Sequence, residues 1–158
     1  MNLGMTIQGV KEIERKLHKL ETKDVSRIAR TDSRSAQNTI MLPEIRGNAV
    51  GMVSGKMGAL LASSMTVRAM TKMRRGSYGH KVVIKDKAAF VYESKDGTRS
   101  YIPNAIEYGH AAPYDAGGAK VSTAIPFQRK AYESKRGATA KKLANNMIRH
   151  IESAVRSK

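Results

Sequence analysis

An α+β fold is predicted by three features of the chain. Apolar stripes of helical period stand near both ends, short alternating segments fill the middle, and Pro126-Phe127 opens the last element. The expected order is N-terminal helices, a four-stranded antiparallel meander, and a C-terminal amphipathic helix packed on the sheet. At 158 residues this is one domain, long enough to bury roughly 70% of its unfolded surface. Its parts are helices over about 9–42, strands over about 65–108, a loop over 110–124, and a helix over about 138–156.

Val10, Ile13, Leu17 and Leu20 recur at spacings of three, four and three, which is one apolar stripe on a helix. Thr22 or Asp24 can cap a second helix carrying Val25, Ile28, Ala29, Ala36 and Ile40, and Pro43 is expected to end it. Residues 46–58 read as a loop punctuated by Gly47, Gly51, Gly55 and Gly58. A strand is expected over 65–73, a hairpin tip at 74–77, and a return over 81–85. A third strand over 88–92 and a fourth running from 101 to 108 flank Asp96-Gly97, a turn signal because glycine tolerates positive φ. Pro103 then marks an edge or bulge position.

The two-residue period of a strand has a consequence for charge. With Val67, Ala69, Val82 and Ile84 facing the helices, Arg68, Lys72, Lys81 and Lys85 share the opposite face. Arg74 and Arg75 would crown that face at the hairpin tip. Beyond it lies a loop of small residues over 110–124. Leu143, Met147, Ile148, Ile151 and Val155 then define the last helix, with basic residues on its outer side.

The chain carries 29 Lys and Arg against 13 Asp and Glu, a net charge of +16. The excess is uneven: residues 46–87 hold nine basic and one acidic side chain, and 129–158 hold nine and two. Residues 88–128 hold three and four. Such a field favours nucleic acid or an acidic protein surface as a neighbour. Cys is absent, which removes disulfides and thiolate metal sites. No apolar run approaches the roughly 20 residues of a membrane span, and no secretory signal pattern opens the chain.

Signs of catalysis are sparse. Gly51-Met52-Val53-Ser54-Gly55-Lys56-Met57 is one residue short of a phosphate-binding loop and has Met57 where magnesium would need a hydroxyl. His18, His80, His110 and His150 show no metal-ligand spacing. Glu107 and His110 stand close enough to suggest an acid–base pair, but no nucleophile motif accompanies them. Glu107 pairing with a basic neighbour or capping backbone amides at an interface is the preferred reading. The expectation is a protein without enzymatic activity, cofactor or metal.

Three segments taken in order resemble the neck and tail-completion proteins that join head to tail in long-tailed phages. They are Ile7-Gln8-Gly9-Val10-Lys11-Glu12-Ile13, Gly58-Ala59-Leu60-Leu61-Ala62-Ser63-Ser64, and Glu107-Tyr108-Gly109 followed by Pro126-Phe127 and Ala131. The chain departs from that pattern in having Tyr108 for the usual Phe and Met57-Gly58 for a Thr-Gly step. The resemblance implies a structural virion protein assembled in the host cytoplasm. It would form a ring, expected to be a hexamer, through which the genome passes at the head–tail junction. Its partners would be copies of itself, an adjacent connector or stopper ring, and tail-terminator or tail-tube proteins. Glu107, Tyr108, Gly109, His110, Pro126 and Phe127 are then the interface candidates. Arg68, Lys72, Arg74, Arg75, Lys81 and Lys85 would face DNA in the lumen or an acidic partner, with no role for a membrane. The other reading of the same charge is a basic protein that binds nucleic acid without sequence preference.

Overall fold

The helical pattern that starts near Thr22 runs well past Pro43. In the computed structural model, which describes residues 22–71, 77–93, 95, 97, 99–111 and 121–157, helix α1 (Thr22–Ala36) passes through one wide turn (Gln37–Met41) into α2 (Leu42–Met52). In that turn the Leu42 N–H donates to the Gln37 carbonyl, one residue further back than in a regular helix. Pro43 explains the widening. Its ring would strike the carbonyl four residues earlier and cannot donate to it, and an extra residue in the preceding turn makes room. Proline sits within this helix, just after its wide turn, and does not end it, correcting the expected stop.

The loop expected over 46–58 is mostly helix. Leu42, Ile45, Ala49 and Val53 are all buried, at spacings of three, four and four. Gly47 and Gly51 lie on the exposed side. A stripe of that period outweighs the roughly 1 kcal/mol that each glycine costs a helix. After a short break at Val53 and Ser54, α3 (Gly55–Ser64) turns back across the end of α2.

The meander resolves into two-stranded antiparallel pairs, three of them among the described residues. Strand β1 (Met65–Ala69) pairs with β2 (His80–Ile84), setting Met65 opposite Ile84, Val67 opposite Val82 and Arg68 opposite Lys81. Met65, Val67 and Ile84 are buried while Arg68 and Lys81 are exposed, so the division into an apolar and a basic face holds. Ala69, expected inside, is exposed. Lys85, just beyond β2, is exposed as well. Lys72, Arg74 and Arg75 lie outside the described residues, as do the stripe over 10–20 and the first of the three family-like segments.

The segment over 88–92 begins as a single 3-10 turn (Ala88–Phe90) that buries Phe90 completely before β3 (Val91–Glu93) starts. Strand β3 pairs with β4 (Arg99–Tyr101) around Gly97, whose φ is 81°, and Glu93 accepts from Arg99 at 2.7 Å across the pair. The fourth strand, expected to run from 101 to 108, ends at Tyr101 as β4: Ile102–Tyr108 is a helix, α4. Pro103 sits in its first turn, where a missing N–H has no intrahelical partner to lose and the fixed φ already suits a helix. What reads as an edge-strand proline is a helix starter. Strands β5 (His110–Ala111) and β6 (Val121–Ser122) pair beyond it. The middle of the expected 110–124 loop lies outside the described residues.

Helix α5 (Phe127–Arg156) begins at Phe127 and not near residue 138. Its inner face passes through Phe127, Ala131, Lys135, Thr139 and Leu143, a step of four each time. Lys135 interrupts the apolar signal, which is why sequence periodicity detects only the later half. That lysine is half-buried and reaches Glu44 of α2 at 3.5 Å. Phe127 and Ala131 join Ile45, Leu61, Val67, Ile84 and Phe90 in one buried cluster. The rest of α5 runs along α1 and α2. The architecture is thus α+β, with helices first, small antiparallel sheets, and a C-terminal helix that closes the core. Among the described residues no helix is long and apolar enough to cross a membrane.

Candidate functional site

The first turn of α5 must satisfy three backbone N–H groups that have no partner within the helix, since the capping residue, Pro126, has none to donate. Here each has one. Phe127 N–H donates to the Ile125 carbonyl at 2.8 Å, while the bond from Lys130 N–H to the Pro126 carbonyl at 3.0 Å is the first regular one of the helix. Gln128 and Arg129 N–H donate to the two carboxylate oxygens of Glu107 at 2.9 and 3.0 Å. Glu107 is only 4% exposed. An acidic group at this end of a helix also meets the favourable end of the peptide dipoles. Glu107 therefore caps a helix that starts twenty residues further along the chain. The Ile125 N–H donating to the Ile106 carbonyl at 2.8 Å closes the same joint from its other side.

Gly109 makes this joint possible. It ends α4 with φ 75° and ψ 161°, a region of backbone space open essentially to glycine alone. In the last turn of α4 before it, Glu107 is buried and Tyr108 exposed. Tyr108 is 69% exposed, and the Arg129 guanidinium lies 5.7 Å from its ring centroid, within range of a weak cation–π attraction. His110 takes its place opposite Ser122 in β5.

The six interface candidates are therefore brought together but not displayed alike. Glu107 and Phe127 are buried within the chain, and Gly109 and Pro126 shape the backbone. Tyr108 alone among the described side chains of the group stands out into solvent. Beside it an open hollow of about 550 Å³ reaches from Tyr108 and Arg129 to Lys81 of β2, over a floor containing Met41 and Ile45. Of the basic candidates, Lys81 lines this hollow, Arg68 stands opposite it on the outer face of the pair, and Lys85 is exposed at the far end.

Two histidines have structural partners. His80 places Nδ1 3.2 Å from the Ser33 hydroxyl. Burial and the nearby Arg34 guanidinium hold its pKa below 6.5. Between that lowered value and 6.5 the unfolded chain binds more protons than the folded one, so stability rises with pH. The contribution is present above pH 6.5 and lost as pH falls through the folded value. His80→Gln is expected to flatten this dependence. Urea midpoints at pH 7.5 and pH 5.5 should differ less in the variant than in the parent, and equal differences would remove His80 as the cause.

The second pair is invisible to local sequence reading. Asp32 is fully buried on α1, and His150 of α5 approaches its two oxygens at 2.8 and 3.0 Å. A buried carboxyl must be partnered, and His150 supplies the partner from 118 positions away. The available signal was the placement of Asp32 midway between Ile28 and Ala36 on the buried face. Among the described residues no three His, Asp or Glu side chains converge as a metal site would require.

Comparison with known proteins returns nothing on which to hang a family: no family description, no curated protein and no solved structure matches this chain.

Proposed function

We propose that this chain is a structural protein of a phage neck, assembled as a ring that completes or joins the tail at the head–tail junction. The observation that carries the reading is the Glu107 joint. The residues by which the chain resembles such proteins act here as architecture: Glu107 caps α5, Gly109 reverses the backbone, Phe127 fills the core, and Gly58 lies buried under α2. Both oxygens of Glu107, the carboxylate that stands near His110 in the sequence, are taken up by backbone amides. What this joint presents outward is Tyr108 beside Arg129, a rigid aromatic group of the type that anchors protein interfaces.

Tyr108→Glu is the corresponding test. Because Tyr108 is largely exposed, the variant is expected to melt within about 1 °C of the parent, surface changes being near neutral. It is expected to lose association with tail and connector components in sedimentation. Purified parent protein that stays monomeric and never sediments with those components would overturn the assignment.

One observation favours the alternative of nonspecific nucleic-acid binding. Arg68 and Lys81 face each other across β1 and β2, where like charges repel and a phosphate between them would relieve the repulsion. A salt titration separates the readings: the logarithm of DNA affinity should fall by about 0.9 per decade of salt for each phosphate neutralised. A slope of several units without ring assembly supports the alternative.

A further inference from the structure

The outer edge of β2 carries an inference that stands apart from ring assembly. Strand β2 pairs with β1 on one side only, and among the described residues no backbone hydrogen bond joins its other edge to a further element. Among the described residues, two hollows open beside that strand. The hollow beside Tyr108 is lined by His80, Lys81 and Val82, and a second of about 150 Å³ by Val82, Val83 and Ile84. Consecutive strand residues point their side chains to opposite faces, so a hollow that touches three in a row runs along the strand's edge. The two hollows share Ile45, Val82, Asn104 and Gln128, and the smaller also reaches Met65 of β1, so they adjoin as a groove beside β2 that is walled by Asn104 of α4.

We infer that this groove binds an extended, acidic segment of a partner protein, which adds to β2 as a third strand. Unpaired strand N–H and C=O groups are a template for such addition, with backbone bonds supplying affinity and alternate side chains supplying choice. The five residues of β2 span about 16 Å, enough to register about five residues of an incoming strand. The floor contains Met41, Ile45 and Val82, which suits an apolar side chain. The rim carries Lys81, Lys87 and Arg129, which suits carboxylates. Glu107, the acidic group in the wall, has both oxygens engaged by amides of α5. A second copy of this chain is a poor occupant, since its net charge of +16 meets a basic rim. The apolar floor and strand edge favour a polypeptide over a nucleic-acid backbone, which needs neither.

The experiment pans a displayed library of random linear decapeptides against the full chain and then measures the best binder by fluorescence anisotropy. Enriched peptides are expected to lack proline and to alternate Asp or Glu with Val, Ile or Leu. Binding should slow deuterium exchange at β2 amides. Methylating alternate backbone nitrogens of the peptide, on the side that meets β2, should weaken it at least tenfold, whereas methylating the other set should not. Lys81→Glu and Arg129→Glu should each weaken it at least fivefold without lowering the melting temperature. The inference is overturned by an absence of enriched peptides, by methylation that has no effect on either set, or by affinity unchanged in both charge reversals. It is equally overturned if oligothymidylate protects β2 while the peptides do not. None of these outcomes depends on whether the chain forms a ring.

Discussion

Glu107→Ala is expected to lower stability by about 3 kcal/mol, moving the melting temperature down by roughly 10 °C for a domain of this length. The size follows from what the carboxylate holds. It accepts from two of the three partnerless backbone amides that open α5, and hydrogen bonds to a charged group contribute more than neutral ones. Alanine leaves both donors without that acceptor, at a position where the Glu107 side chain is buried. The joint also sets the direction of a helix of 30 residues whose first turn delivers Phe127 and Ala131 to the core. Loosening it therefore disturbs packing as well as polarity.

Glu107→Gln sharpens the test. It keeps the volume and one acceptor oxygen, but turns an NH2 toward the second amide, so one favourable contact becomes two opposed donors. It should recover only part of the loss. Thermal unfolding followed by circular dichroism decides the matter: a shift under 2 °C for the alanine variant would mean that Glu107 is not the cap of α5.

How much of this was legible in the chain depends on the range over which each signal acts. Local signals read correctly where nothing distant competed with them. Gly97 takes the positive φ expected of an Asp-Gly turn, and the β1–β2 pair separates Val67 from Arg68 as alternation demands. Proline misled twice for one reason. Pro43 and Pro103 both stand in the first turn of a helix, and their neighbours, not the prolines, decide whether a helix follows. The glycines of α2 mark no loop because the buried Leu42, Ile45, Ala49 stripe outweighs them. At the candidate site, Glu107 was visible as a carboxyl suited either to pairing with a basic neighbour or to capping backbone amides at an interface. That its target is the α5 amides of its own chain was not, because the joint spans twenty residues with no repeat or spacing to mark it. The Asp32–His150 pair lies further still beyond local reach.

Gly58→Ala is the second large effect, and its cause is steric. A Cβ built at Gly58 would lie 2.5 Å from the Val53 carbonyl oxygen and 2.6 Å from that of Ala49. Both are backbone atoms at the end of α2, and the Ala49 carbonyl is already held by the Val53 N–H at 3.1 Å. Neither can swing aside as a flexible side chain would. To admit one methyl, α3 must move off α2, carrying with it Leu61, which is fully buried, and Ala62. Forced overpacking of this kind costs about 3 kcal/mol. Gly47→Ala makes the same chemical change on the exposed side of α2, where nothing lies within 4 Å. There alanine should raise stability by up to about 1 kcal/mol, because it favours the helix and restricts the unfolded chain. Opposite shifts in the urea midpoints of these two variants are the expected result. Equal shifts would mean that α3 does not pass against the carbonyl end of α2 at Gly58, and that this buried glycine has some other reason to stand there.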